Sequence, residues 1–219
     1  MALAQRTAAE GRSGTPPRGF SGRRARRPGA LGVQAGLIVD VETTGLDPFR
    51  DEIVELGLLL FALNARTGEA LLIIDRYDGL REPTRSISSG AMAVHGLGPA
   101  DLRGKALDAA RVRRLVEAAD FLVAHNAPFD YGFLTRLYPE AGLKPWHCSM
   151  RQINWRRYGF QSRRLENLAA GHGLSAAGAH RAGPDCELVF HLLQQRAPDG
   201  FPYLREMRGH RPLFRVGTA

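Results

Sequence analysis

Two carboxylates, Asp40 and Glu42, stand two positions apart where an apolar stretch ends. The preceding Leu37-Ile38-Val39 is aliphatic and partly β-branched, which predicts a strand buried on both faces. Side chains of a strand alternate between its faces, so Asp40 and Glu42 point in the same direction. Neighbouring carboxylates repel each other, and a hard divalent cation such as Mg²⁺ or Mn²⁺ relieves that repulsion through oxygen ligands. The pair therefore indicates a metal site; the plainer alternative is a solvated strand end with two surface acids.

Two further acids, Asp130 and Asp185, fall on the first turns of two predicted helices. Asp130 lies in A-H-N-A-P-F-D, and Asp185 follows Gly183-Pro184, where proline favours a helix start. The helix dipole favours an ionised carboxylate at both positions, so ordinary N-terminal helix acids are one interpretation. The other is that strand-end and helix-start carboxylates converge on one edge of a sheet. His180 stands five residues before Asp185, outside the predicted helix and free to move.

The elements that must position these residues follow a regular order. Apolar runs predict strands, beginning with the one through Leu37–Val39 and continuing with 53–63, 70–77 and 121–124. Apolar residues at helical spacing and turn residues predict helices over 88–95, 107–119, 128–138, 164–171 and 184–195. Three strands in a row, followed by alternating helices and strands, predict an α/β fold in which helices pack on a mixed sheet.

Three stretches carry a family resemblance: D-V-E-T-T-G-L, H-N-A-P-F-D and H-R-A-G-P-D, in this order. Together they resemble the DnaQ-like DEDD exonucleases, and the His-x-x-x-x-Asp spacing is that of the histidine subfamily. The resemblance covers about residues 36–196. It implies a ribonuclease H-like fold and stepwise 3′→5′ removal of nucleoside monophosphates. The metal ligands that it implies are Asp40, Glu42, Asp130 and Asp185, with His180 as the general base.

The chemistry of phosphodiester hydrolysis agrees with this resemblance. The reaction needs an activated water and stabilised charge on the attacking and leaving oxygens, which two metal ions about 3.5–4 Å apart supply. Four carboxylates suit two divalent ions, Mg²⁺ or Mn²⁺, beside substrate oxygens and water. A histidine with a pKa near ~6.5 can take the proton of the water at neutral pH.

Six other residues are candidates for contacts with the terminal nucleotides. Thr43 and Thr44 are expected to offer hydroxyl or backbone N–H groups, with strand-end turn chemistry as the alternative. The stretch M-A-V-H-G-L resembles a segment that these enzymes carry near the bound 3′ end, so His95 and Leu97 are expected at the terminal base. Asn126 is a candidate for binding the nucleotide or orienting the strand end. The substrate-binding candidates are thus Thr43, Thr44, His95, Leu97, Asn126 and Phe129.

Several neighbours of these motifs have structural interpretations. His125 is predicted to be a structural histidine, and Trp146, Cys148 and Trp155 are predicted to pack in the core or on the surface. Arg163 and Arg164 are interpreted as a solvated face, with phosphate contact as the alternative.

Charge and composition divide the chain of 219 residues into three predicted parts. Residues 1–34 hold seven arginines and one acid, Glu10, whereas the remaining residues hold 23 basic and 21 acidic side chains. We therefore expect a disordered Arg-rich tail over 1–35, an exonuclease domain over 36–197 and a short C-terminal extension over 198–219. The tail has three interpretations: a basic arm that contacts phosphates, an organellar transit peptide, or a segment upstream of the true translation start.

Compartment and partners follow from what the sequence lacks. It contains no apolar run of about 18 residues and no apolar core of a secretory signal, so no membrane association is expected. Cys148 and Cys186 show neither metal-ligand nor disulfide spacing, which predicts free thiols and a cytoplasmic location.

The predicted substrate is the 3′ end of single-stranded DNA. Within the family, the motifs resemble the exonuclease domain of the epsilon subunit of DNA polymerase III, which makes polymerase components candidate partners. Two alternatives stay open: an RNA-trimming exoribonuclease or oligoribonuclease, and a non-catalytic module that binds nucleic acid through its basic arm. The intact five-residue site argues against the latter.

Overall fold

A five-stranded mixed sheet carries the acidic strand end near its centre, in a computed structural model that describes residues 32–178 and 180–215. The strands are β1 (Val33–Thr43), β2 (Ile53–Asn64), β3 (Ala70–Leu80), β4 (Phe121–Ala124) and β5 (Trp146–Cys148). Their order across the sheet is β3-β2-β1-β4-β5. The β1, β2 and β3 strands pair antiparallel, whereas β4 is parallel to β1 and β5 is parallel to β4. The predicted mixed sheet is confirmed.

Helices occupy the connections and the C-terminal part of the described chain. They are α1 (Ser89–His95), α2 (Pro99–Leu102), α3 (Ala109–Ala118), α4 (Ala127–Leu137), α5 (Leu165–Gly171), α6 (Ala182–Gln194) and α7 (Tyr203–Gly209). Two 3₁₀ turns lie at Pro139–Leu143 and Trp155–Tyr158. Sequence chemistry sets the ends of α1: the Ser88 side chain accepts the Ala91 N–H, and Gly96 ends the helix with a φ of 73° that favours glycine.

Both faces of the sheet are covered. Leu37 and Val39 pack in a core with residues of α3 and α4, whereas Ile38 points to the other face and packs with residues of α5, α6 and α7. The first strand is therefore buried on both sides, as its aliphatic sequence predicts. Asp40 follows Ile38 in this alternation, so it faces the side of the sheet that α6 covers.

The first strand begins at Val33, three residues before the predicted domain start at residue 36. The strand extends upstream of residue 36 because β2 continues to Asn64, which pairs with Val33. Gln34 also accepts a hydrogen bond from Arg208 at 2.7 Å, and the Ala35 N–H donates to Asp120. Residues 1–31 lie outside the described residues, so the Arg-rich tail stays a prediction.

The predicted C-terminal extension contains α7, whose Tyr203, Leu204 and Met207 are buried in the core beside α6. The chain then returns to the sheet, where Phe214 forms an antiparallel bridge with Trp146. Described residues beyond 197 therefore pack on the domain; residues 216–219 lie outside the described residues.

The two cysteines, Cys148 and Cys186, are free and buried. Trp146 and Trp155 are fully buried, as expected for core residues. Within residues 32–178 and 180–215, no helix is long and apolar enough to cross a membrane.

Candidate active site

Three carboxylates meet at the end of the central strand. Asp40 and Glu42 lie on the same face of β1, and Asp185 reaches them from the first turn of α6. One oxygen of each of the three side chains lies within 4.8 Å of the others. The i, i+2 spacing in a strand and the helix-start position are therefore brought together at one edge of the sheet, as the sequence predicts.

A glycine lets α6 approach the sheet closely enough for this. Gly57 on β2 pairs with Asp40, and a Cβ atom at Gly57 would stand 2.3 Å from the Ala182 carbonyl oxygen. A side chain at this position would push the start of α6, and Asp185 with it, away from the strand. The helix begins at Ala182, two residues earlier than predicted, because Pro184 within the first turn needs no backbone hydrogen bond.

Asp130 completes the acidic group from a different helix. It lies in the first turn of α4, which follows β4 directly, and β4 is parallel to β1. Because the carboxyl ends of parallel strands meet at the same edge of a sheet, Asp130 approaches the end of β1. It is only 3% exposed, and the Val41 backbone N–H donates to its carboxylate.

Burial disfavours ionisation of all four acids, and the charges of neighbouring acids add to this effect at Asp40, Glu42 and Asp185. Burial raises the pKa of Glu42 to about 8, with contributions from the charges of Asp185, Glu55 and Asp130. Burial likewise raises the pKa of Asp130 to about 7 and that of Asp185 to about 6. The pKa of Asp40 is raised well above its ordinary value, by burial and then by the charges of four acids: Asp130, Asp185, Glu42 and Glu55.

Such a cluster fits a divalent cation. Its donors are carboxylate oxygens only, the set that Mg²⁺ and Mn²⁺ prefer. A bound cation would also supply the positive charge that the four acids lack. The acidic group is therefore a candidate metal centre.

His180 is held beside Asp185 in a strained backbone conformation. Its φ of 67° makes it the non-glycine residue with positive φ in the described chain, which has an energetic cost of roughly 1–3 kcal/mol. Its backbone N–H donates to Asp185 Oδ2 at 3.1 Å, and its Nε2 lies 3.4 Å from Glu166 Oε1. The imidazole side chain is 49% exposed and lines the cleft above the carboxylates.

Arg181 anchors this segment to the sheet through a buried ion pair with Glu55. The Glu55 side chain is fully buried on β2 and receives Arg181 Nε at 2.9 and 3.0 Å and Arg181 Nη2 at 2.7 Å. The Ala182 N–H donates to the same carboxylate. Sequence reasoning missed this pair, although an acid inside the apolar run of β2 was a signal that it needs a buried partner.

The carboxylates open into one cleft of about 980 Å³. All five residues that the resemblance implies as catalytic line it: Asp40, Glu42, Asp130, His180 and Asp185. Of the predicted substrate-binding residues, four line the cleft as well: Thr43, His95, Asn126 and Phe129. Asn126 is exposed there, and the Phe129 ring packs 4.9 Å from that of Phe133.

Thr44 and Leu97 are not brought to the cleft. The pairing of β1 with β2 is irregular between Glu42 and Thr43, so strand alternation no longer holds at Thr44. The Thr44 hydroxyl is fully buried, donates to Asp51 and accepts the Glu52 N–H. Leu97 is buried in a small separate core with Val54 and Leu102.

Two histidines support the cleft from behind. His95 Nδ1 accepts the Leu97 N–H, so its Nε2–H donates to the Thr43 carbonyl at 3.2 Å and holds the strand end. His125 lies between the Ser149 hydroxyl and the Arg163 carbonyl, at 2.8 and 2.7 Å, which agrees with its predicted structural role. Burial lowers the pKa of both imidazoles, so both are neutral at neutral pH.

Two exposed apolar residues at the cleft were not predicted. Leu46 is 84% exposed and Val94 is 54% exposed, and both line the cleft. Leu46 belongs to the motif D-V-E-T-T-G-L, and an apolar residue directly after a glycine turn was the available signal. Both side chains are suited to contact with nucleotide bases.

A family model described as an exonuclease, RNase T, matches residues 37–193. The chain belongs to this exonuclease family. The resemblance to the DnaQ-like 3′–5′ exonucleases, drawn from three short motifs, is confirmed, and with it the enzyme class. Exonucleases of this family depend on divalent metal, in agreement with the acidic cluster.

Similar sequences come from two kinds of protein. The exonuclease chain is 30% identical to a PolC-type DNA polymerase III of Bacillus subtilis over 182 aligned residues, 78% of the chain but only 12% of the polymerase. It is 29% identical over 166 residues to ribonuclease T of Shewanella frigidimarina, covering 68% of the chain and 70% of the ribonuclease.

Solved structures confirm the predicted ribonuclease H-like α/β fold. Escherichia coli exonuclease I, solved with a dT13 oligonucleotide, superposes with a TM-score of 0.61 at 18% identity, over 76% of this exonuclease and 42% of that chain. Exonuclease X, solved with 5′ overhanging duplex DNA, superposes with a TM-score of 0.53 at 24% identity, over 78% of this exonuclease and 99% of that chain.

Proposed function

We propose that this exonuclease hydrolyses the terminal phosphodiester bond at the 3′ end of single-stranded DNA and releases nucleoside monophosphates. The observation that carries the proposal is the convergence of four carboxylates and one histidine in a single open cleft. Two divalent ions, Mg²⁺ or Mn²⁺, are the proposed cofactors. When bound, they stabilise charge on the attacking and leaving oxygens and make water a stronger nucleophile.

The chain's own residues have distinct parts in this reaction. Asp40, Glu42 and Asp185 form the three-acid group that would hold metal, and buried Asp130 adds a fourth charge from the opposite helix. The His180 imidazole is the proposed acceptor of the water's proton, because it is the half-exposed base that lines the cleft beside Asp185. Glu166 Oε1 lies 3.4 Å from Nε2 and orients the imidazole.

The cleft favours an unpaired end over a duplex. Leu46, Val94 and Phe129 present apolar surface to it, and stacking on such surface requires free base faces. A paired end must first be unstacked, at a free energy of a few kcal/mol per step. Exonuclease I was solved with a single-stranded oligonucleotide, which supports this choice.

RNA is the second candidate substrate. The similarity to ribonuclease T covers most of both chains and favours this candidate. The similarity to PolC supports a polymerase assembly as a partner, although the chain spans only 12% of that polymerase.

One gel tests the reaction and the substrate together. The purified chain is incubated with Mn²⁺ or Mg²⁺ and 5′-labelled single-stranded DNA, RNA of the same sequence, blunt duplex DNA and a labelled circle. We expect a descending ladder from single-stranded DNA, slower cutting of the duplex, an intact circle, and no cutting with EDTA or with Asp130→Asn. Faster degradation of RNA would promote the second candidate. Cutting of the circle at the rate of the linear strand would show an endonuclease and refute the proposal.

A further inference from the structure

Positive charge is segregated on the folded domain although its sequence is nearly balanced. Residues 145–165 contain five arginines and no acid. All five are exposed. They are Arg151, Arg156, Arg157, Arg163 and Arg164, and we call them the arginine surface. A count of charges over the whole domain hides this local excess.

The arginine surface lacks the ion pairs that several other described arginines form. None of its five members forms an ion pair with a described residue. By contrast, Arg111 pairs with Asp75 at 2.9 Å and Arg113 pairs with Glu140 at 3.0 Å, on and beside α3. Unpaired guanidinium groups are free to bind an external anion.

Two acids beside the arginine surface have other partners. Glu206 on α7 accepts the Asn154 N–H at 2.9 Å and bonds the Tyr158 hydroxyl. Glu166 faces His180 in the cleft. The positive charge of the arginine surface is therefore not neutralised within the described domain.

The surface continues directly from the cleft. Arg164 lines the cleft, while its neighbour Arg163 lines an adjacent hollow of about 250 Å³ together with Arg151 and His210. Met150 and Arg151 divide in the same way, with Met150 in the cleft and Arg151 in the hollow. Two chain segments thus run between the cleft and the hollow, and each places an arginine in the hollow.

Both segments are fixed by buried contacts. His125 Nε2 donates to the Arg163 carbonyl at 2.7 Å, and the Met150 N–H donates to the His125 carbonyl at 3.1 Å. The indole N–H of buried Trp155 donates to the Ser149 carbonyl at 2.9 Å. Anchoring of the backbone lowers the entropy that the arginines lose when they bind a ligand.

We propose that the arginine surface binds the phosphate backbone of the single strand 5′ to the hydrolysed end. This deepens the proposed function and rests on it, since the cleft must hold the 3′ end. The contacts are to phosphate and independent of base sequence, because both tryptophans of this segment, Trp146 and Trp155, are buried. Long strands then bind more tightly than short ones, whereas the chemistry at the end is unchanged.

The test compares Arg151→Ser/Arg163→Ser with a control that removes the same charge elsewhere, Arg66→Ser/Arg114→Ser. The control arginines are exposed, line neither the cleft nor the adjacent hollow, and form no ion pair with a described residue. Binding of 5′-fluorescein dT20 to the full chain is measured by anisotropy in EDTA from 0.05 to 0.5 M salt. Hydrolysis of dT4 with Mn²⁺ is measured separately.

Each phosphate contact contributes about −0.7 to the slope of log affinity against log salt on a single strand. Loss of two contacts flattens the slope by about 1.4. If the two proteins bind equally at about 1 M salt, the variant therefore binds dT20 roughly 25-fold more weakly than wild type at about 0.1 M salt. We expect this for Arg151→Ser/Arg163→Ser on dT20, with dT4 hydrolysis within about twofold of wild type, and wild-type behaviour for the control.

Two results would overturn the proposal. One is an unchanged affinity and slope for dT20. The other is a loss of dT4 hydrolysis parallel to the loss of dT20 binding, which would place these arginines in the catalytic cleft. Failure of the proposed function is recognised independently, because wild-type protein would then hydrolyse neither dT4 nor an RNA tetramer.

Discussion

Asp130→Asn should change how the stability of the metal-free protein depends on pH. Asp130 is 3% exposed and stands against the other carboxylates, so burial raises its pKa from the ordinary 3.8 to about 7. Between these two values the folded state keeps a proton that the unfolded chain has released. The contribution of Asp130 to the free energy of unfolding is therefore fully present below pH 3.8 and is lost as the pH rises from there through about 7.

The magnitude follows from the shift. About three pKa units at ~1.4 kcal/mol each give a total loss of about 4 kcal/mol, of which roughly 2–3 kcal/mol falls between pH 5 and pH 8. Asparagine has no charge to desolvate, so Asp130→Asn should escape this loss. In EDTA at pH 5, the variant should be as stable as wild type or less stable. Between pH 5 and pH 8, its free energy of unfolding relative to that of wild type should rise by roughly 2–3 kcal/mol.

The assay is urea unfolding followed by circular dichroism at pH 5 and pH 8 in EDTA. Buried histidines such as His125 and His147 have lowered pKa values and contribute the opposite slope, but they are present in both proteins and cancel in the difference. Glu117→Gln, which removes an exposed carboxylate from α3, is the matched control and should behave as wild type. Equal pH dependence of wild type and Asp130→Asn would refute the inference that burial keeps Asp130 protonated in the folded, metal-free protein.

Three further outcomes are expected. His180→Ala should lower turnover by about 10²–10⁴-fold with Mn²⁺ binding largely retained in equilibrium dialysis; loss of the metal would contradict its role as a base. Glu55→Gln breaks the buried ion pair with Arg181 and should lower the free energy of unfolding by about 1–3 kcal/mol; the loss is limited because the half-exposed Arg181 regains some hydration. The same variant should also lower turnover, and normal turnover would show that this ion pair does not position His180. Mg²⁺ at about 100 times its dissociation constant should stabilise wild type at pH 8 by ~2.7 kcal/mol in urea unfolding but should not stabilise Asp40→Asn, and equal stabilisation would place the metal elsewhere.

Local periodicity was enough to predict how the acids are placed. Asp40 and Glu42 needed only strand alternation, and Asp130 and Asp185 needed only their places at helix starts. Thr44 was predicted to offer a hydroxyl or backbone N–H group to the terminal nucleotide, with strand-end turn chemistry as the alternative. The irregular pairing after Glu42 turns Thr44 towards Asp51, and such an irregularity has no local signature.

Features that depend on distant partners could not be predicted. The β5 strand has three residues and exists because it pairs with β4, with Trp146 opposite Leu122. Glu55 and Arg181 are far apart in sequence, and their ion pair forms only when α6 packs on β2. The arginine surface likewise arises when the fold brings residues 151 and 163 to one hollow.

The most direct test of the central claim is the dependence of hydrolysis on Mn²⁺ in wild type and in Asp40→Asn. A 5′-labelled single strand is incubated with each protein, first stripped with EDTA and then titrated with Mn²⁺. We predict that stripped wild type is inactive and recovers with Mn²⁺, whereas Asp40→Asn, folded by circular dichroism, stays inactive at every Mn²⁺ concentration. Hydrolysis that persists in EDTA, or an Asp40→Asn variant that cuts at the wild-type rate, would contradict the assignment of this acidic cluster as the metal-dependent active site.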